Sequence, residues 1–113
     1  MFATTALAVV LGAIFAVVGV SMTLALDFQR TNATHLGFSV VAFRYIGALA
    51  LLGATGVLVG LALPVVGILA ATGIVALMIG AAVCHLRVRD RADKLIPPIV
   101  VAALAVGYLI SMR

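Results

Sequence analysis

Apart from Arg113 at the C-terminus, every charged residue of this chain falls in two short stretches, 27–44 and 87–94, and apolar sequence fills the rest. From Phe2 to Leu26 there is no charged side chain. A helix of that length reaches roughly 37 Å, enough to cross a hydrocarbon core about 30 Å thick with some tilt. Further apolar runs extend from Tyr45 to Leu63, from Val65 to Leu86 and from Leu95 to about Met112. These runs do not alternate as a barrel strand does, and in lipid each backbone polar group must be satisfied within its own segment. The pattern predicts an all-α fold, a transmembrane four-helix bundle. It forms one integral membrane domain over residues 1–113, with spans at about 2–26, 45–63, 65–86 and 95–112.

The breaks between runs are informative. Pro64 joins the second and third runs with no polar linker, and proline fits the first turn of a helix because its missing N–H has no partner there anyway. A tight helical hairpin is expected. Pro97 and Pro98 open the fourth run and place the start of regular helix near Pro98. Asp27 to about Leu36 reads as a polar loop. The segment Leu36 to Phe43 is apolar except for Ser39 and runs into Arg44, so either it is an interfacial helix or the second span begins near Leu36 and carries Arg44 inside. An embedded Arg44 calls for a partner such as Asp27; otherwise it snorkels to the headgroups. The first run contains Thr23 and Ala25 at a spacing that suits signal cleavage, but it lacks a basic leader and exceeds the usual length of such a signal, so it is expected to be retained.

Charge then sets the orientation. Of the seven Lys and Arg residues, Arg30, Arg44, Arg87, Arg89, Arg91 and Lys94 lie in the two connections, and Arg113 alone lies on the terminal side. This asymmetry places both connections in the cytoplasm of a bacterial inner membrane and both termini outside. The sequon Asn32-Ala33-Thr34 would demand the opposite, and a three-residue match weighs less than six bases. The net charge of +4 sits at membrane borders, so nucleic-acid binding is not expected.

Small residues recur at i, i+4 spacing in Ala8-Gly12-Ala16, Gly56-Gly60, Thr72-Ala76-Gly80-Cys84 and Ala103-Gly107-Ser111. Such stripes permit close helix packing. On the third run they predict that Gly80 lies in a tight contact while Val75 lies off it.

Candidate chemistry is sparse. The acids are Asp27, Asp90 and Asp93, all in the connections, and there is no Glu. The chain is similar in size and span count to the small multidrug resistance transporters, which need an embedded carboxylate in the first span; this chain has none there. Cys84 is the single cysteine, which excludes an internal disulfide or a Cys-x-x-Cys redox pair. His85 lies within the third run near its cytoplasmic end, where an ionisable group is a candidate for binding a quinone or substrate, for haem ligation or for proton transfer. His35 falls in the polar loop. Two histidines without supporting Cys or Glu do not make a metal site, and no catalytic residue stands out.

The run Arg44-Tyr45-Ile46-Gly47-Ala48-Leu49-Ala50-Leu51-Leu52-Gly53-Ala54, then Gly56 and Leu58, resembles the second helix of the DoxX-like membrane proteins. Gly67-Ile68-Leu69-Ala70-Ala71-Thr72-Gly73 leading to Gly80-Ala81-Ala82-Val83-Cys84-His85-Leu86-Arg87 resembles that family's Gly/Ala-rich third helix closing on His-Leu-Arg. The resemblance covers roughly Arg44 to Val101. It implies a four-helix membrane protein of bacterial or archaeal type, some relatives being linked to thiosulfate oxidation through quinone or to complexes handling oxidative stress. Many relatives carry Glu where this chain has Ala50, leaving His85 and Arg44 as the polar residues at matching positions. Two functions follow as expectations. One is a noncatalytic accessory or scaffold component in the lipid bilayer, forming a homo-oligomer or joining a larger membrane complex. The other is a quinone-linked oxidoreductase subunit or small-molecule carrier, with His85 and Arg44 binding the cofactor.

Overall fold

The computed structural model describes residues 2–112; Met1 and Arg113, the base counted on the terminal side, lie outside them. Five α-helices follow in order: α1 (Phe2–Thr23), α2 (Asp27–Leu36), α3 (Val40–Val59), α4 (Pro64–Arg87) and α5 (Ile96–Ser111), with a single 3₁₀ turn at Ala92–Lys94 before α5. By length and composition, α1, α3 and α4 are apolar enough to cross a membrane. With 16 residues, α5 reaches only about 24 Å. The four long helices form a ring in which α1 packs on α3, α3 on α4, α4 on α5 and α5 on α1. The assembly measures 40 × 27 × 17 Å, long enough to match a bilayer with its headgroup regions.

The ring puts both connections at one end and both termini at the other. Thr4 Oγ1 donates to Ser111 Oγ at 2.7 Å across the terminal end. Pro64 opens α4 as the chain pattern requires, and Gly60 to Leu63 make the turn. The expected polar loop at Asp27–Leu36 is instead helix α2. Its buried side chains are Gln29 and Ala33, one turn apart, so a polar residue carries half of the docking face and hides it from an apolar pattern. Gln29 Nε2 donates to Ser21 Oγ (2.8 Å), which donates to the Val18 carbonyl (2.8 Å), tying α2 back onto α1. Ser39 caps α3 by accepting from the Ala42 N–H at 3.1 Å. This puts Arg44 within the first turns of α3, on its exposed side.

The core gathers Leu11 and Phe15 of α1, Ala50 and Val57 of α3, Ile74 of α4 and Tyr108 of α5. Tyr108 is fully buried, and its hydroxyl donates to the Val57 carbonyl at 2.9 Å. Two glycine contacts set the helix spacing. At Gly47 a Cβ would lie 2.6 Å from Met22 Cβ and 2.8 Å from Thr23 N, so α3 passes α1 at backbone contact. Gly60 faces the Gly67 backbone and the Tyr108 hydroxyl in the same way at the hairpin.

The small-residue stripes divide. Ala8 and Gly12 are buried in α1, Gly56 is buried in α3 and Gly60 just beyond its end, as expected. On α4 the expectation fails. Thr72, Ala76 and Gly80 are exposed, and nothing lies within 4 Å of a Cβ built on Gly80, whereas Val75 packs against the core. The buried face of α4 is Gly67, Ala71 and Ile74. The stripe failed because a chain rich in Ala and Gly produces such spacings on every face.

Candidate functional site

Three helices end at the connection side, and all three close with the same cap. A residue in the left-handed region follows the helix, its N–H and the next N–H bonding back to carbonyls of the last turn. For α2 that residue is Gly37 (φ 84°), with Gly37 N–H to Thr34 O and Phe38 N–H to Ala33 O. For α1 it is Ala25 (φ 53°) and for α4 it is Arg89 (φ 57°). Glycine takes this conformation freely, whereas Ala and Arg do so at a cost of about 1 kcal/mol. At α4 the cap has a consequence: the Asp90 N–H bonds the His85 carbonyl at 3.0 Å, turning Asp90 back over the last turn of its own helix.

Asp90 thereby meets two histidines. Its Oδ2 accepts from His85 Nδ1 at 2.5 Å and its Oδ1 accepts from His35 Nε2 at 2.6 Å. His35 comes from the last turn of α2, where the Gly37 cap fixes its direction. The Asp90 side chain is 11% exposed, His85 22% and His35 53%, so the group opens toward the polar phase through His35. Together they form a clasp between the α1–α3 and α4–α5 connections. The bond from His85, and then that from His35, holds the Asp90 carboxyl below its ordinary 3.8.

The chemistry open to this arrangement is limited by what lies beyond it. Imidazole and carboxylate in contact can pass a proton among themselves. Inward of His85, among the described residues of the helices, the other ionisable groups are Cys84, half-buried beside it, Arg44 and Tyr45, exposed in the first turns of α3, and Tyr108, whose hydroxyl is committed to Val57 near the opposite end. Among the described residues none of these groups hydrogen-bonds to the clasp, which therefore has no hydrogen-bonded continuation into the bundle. Each Asp90 oxygen is spent on one ring, and no group of three His, Cys, Asp or Glu side chains among the described residues is arranged to hold a metal ion.

Arg44 does not join this group. Its Nε donates to the Thr23 carbonyl at the end of α1 (3.0 Å), not to Asp27. The two residues singled out for cofactor binding, His85 and Arg44, are thus engaged with different partners and share no hydrogen bond. Asp90 and His35 were missed as participants. Four spans do imply that the two connections share a face, so a pairing between their His and Asp residues was open to inference.

A second feature lies within the bilayer zone. Between α3 and α4 runs an open apolar groove of about 630 Å³, walled by Leu49, Leu52, Gly53 and Gly56 on one side and Leu69, Gly73 and Leu77 among those on the other. Neither His85 nor Arg44 lines it.

A testable consequence concerns acid. A carboxyl held below 3.8 adds stability above that unfolded value, and the contribution is lost as pH falls through the lower folded value. Asp90→Asn should therefore melt at a lower temperature than the parent near neutral pH, and the difference should shrink as pH drops below 3.8. A gap that stays constant across this range would show that the clasp does not titrate through Asp90.

The model of the DoxX-like family matches residues 6–108, nearly the whole chain. No match is found among curated proteins or among solved structures. The family match agrees with the apolar helices, the α3 and α4 sequences and the ring of long helices: the chain is a membrane protein and belongs to the DoxX-like family.

Proposed function

We propose that the protein is a noncatalytic accessory or scaffold component of a bacterial inner membrane, associating through the outer face of α4 with further copies of itself or with a larger membrane complex. The observation that carries this reading is the state of α4. Only 17% of its spanning window is buried, against 28% for α1 and 33% for α3, although it is the longest helix. Its open face presents Thr72, Gly73, Ala76 and Gly80, and nothing lies within 4 Å of a Cβ on Gly73 or Gly80. Without a hydrophobic drive between helices in lipid, close backbone approach at small residues is what favours association. The adjoining groove adds a concave apolar wall on the α3 side. The six bases of the two connections favour a cytoplasmic location for both.

The test separates folding from association. Gly80→Leu fills open space and should leave the melting temperature of the purified protein unchanged, while shifting it to smaller assemblies on gel filtration in mild detergent. Val75→Leu, which enlarges a core-packed side chain, should lower stability by about 1–3 kcal/mol instead. If Gly80→Leu unfolds the protein, or leaves its assembly size untouched, the α4 face is not the contact. Quinone binding at His85 and Arg44 is the competing reading, and the same preparation would reveal it as stoichiometric quinone lost on His85→Ala.

A further inference from the structure

The two connections treat their bases differently. On the α1–α3 side, Arg30 Nε donates to the Ala25 carbonyl (2.8 Å) and Arg44 Nε to the Thr23 carbonyl (3.0 Å), so both guanidinium groups close helix ends. On the α4–α5 side, Arg87, Arg89, Arg91 and Lys94 are all exposed. The ion pairs found among the described residues are the two between histidines and Asp90. Asp90, which lies between Arg89 and Arg91 in the chain, has both oxygens occupied by imidazoles and is withdrawn from neutralising them, and Asp93, exposed beside Lys94, forms no ion pair with any of the four. Among the described residues none of the four cations has a carboxylate in ion-pair contact, and with Asp93 counted the connection keeps an excess of positive charge. Just below them the helix surfaces are apolar and open: Val83 and Leu86 at the end of α4 are 49% and 60% exposed, and Ile96 and Ile99 at the start of α5 are 58% and 59% exposed.

We propose that the α4–α5 connection is a binding site for an anionic phospholipid, its phosphate held by Arg87, Arg89, Arg91 and Lys94 and its acyl chains lying along Leu86, Ile96 and Ile99. The combination selects a lipid over a free polyanion. Cations in the headgroup layer attract any phosphate, but only a phospholipid also covers the apolar surface directly beneath them. The Arg89 cap and the Asp90 clasp give the connection a fixed course, so the cations are presented by an ordered turn and not by a loose tail.

The experiment uses the purified full chain in a non-ionic detergent, where membrane orientation plays no part. Native mass spectrometry would follow retention of phosphatidylglycerol, phosphatidylcholine with the same acyl chains, and inorganic phosphate. The parent and Arg30→Gln should retain phosphatidylglycerol at concentrations where phosphatidylcholine is not retained. Replacing Arg87, Arg89, Arg91 and Lys94 together by Gln should abolish the preference, and Arg91→Gln alone should weaken it about fivefold, as one base near an anionic surface implies. Equal retention of the two lipids by the parent, undiminished preference in Arg91→Gln or in the quadruple variant, or equivalent retention of inorganic phosphate would overturn the proposal. The single variant keeps the test decisive if the quadruple one fails to fold.

Discussion

Gly47→Ala should lower the stability of the purified protein by about 2 kcal/mol or more, a large loss for the addition of one methyl group. The new Cβ would stand 2.6 Å from Met22 Cβ and 2.8 Å from the Thr23 backbone nitrogen. A flexible side chain could move aside, but the Thr23 backbone cannot without parting α1 from α3, the pair in most extensive contact. The shift would also draw the Thr23 carbonyl away from Arg44 Nε. Gly73→Ala is the matching control: it lies mid-helix in open space, so it should be neutral or slightly stabilising through better helix propensity. Thermal unfolding followed by circular dichroism checks both. Equal melting temperatures for the two variants would mean that the α1–α3 contact is not as close as described.

Ala50→Glu should be still more disruptive. The Ala50 side chain is 2% exposed and belongs to the same core as Leu11, Phe15 and Val57. None of the side chains in that core carries a charge that could pair with a carboxylate. Placing an ionised group there costs roughly 2.5–3.5 kcal/mol at the centre of a membrane helix, besides the volume it must force into packed surroundings. Loss of folded protein from the membrane fraction is the expected result. Normal yield and stability for Ala50→Glu would show that this core accommodates a carboxylate, and would reopen a proton-linked or substrate-linked role for α3.

The apolar runs announced the four long helices, and Pro64 announced the hairpin, because lipid leaves continuous helix as the economical way to satisfy the backbone. Less of the rest was visible. Helix α2 docks through Gln29 and Ala33, so no apolar periodicity marks it; Gly37 directly after His35-Leu36 was the one cue to its end. The packed faces were only partly legible, since small-residue spacings occur on every side of these helices and contact alone distinguishes Gly56 from Gly80. For the clasp, His85 stood out as a polar residue ending an apolar run. Its partners depend on α2 delivering His35 at a helix terminus and on Arg89 adopting a left-handed conformation that sequence would assign to glycine. Arg44 was legible as a border residue, yet its partner is a main-chain carbonyl, which no pairing of charges along the sequence could indicate.

The proposed role rests on α4 meeting another helix through its open face, and photo-crosslinking in native membranes tests that most directly. A photoreactive amino acid would replace Ala76 or Gly80 on that face, with Val17, 71% exposed on α1, as the comparison. A scaffold that docks through α4 should give one discrete protein adduct from positions 76 and 80 and none from position 17. Lipid adducts alone at all three positions, or the same protein adducts from position 17 as from position 80, would contradict it.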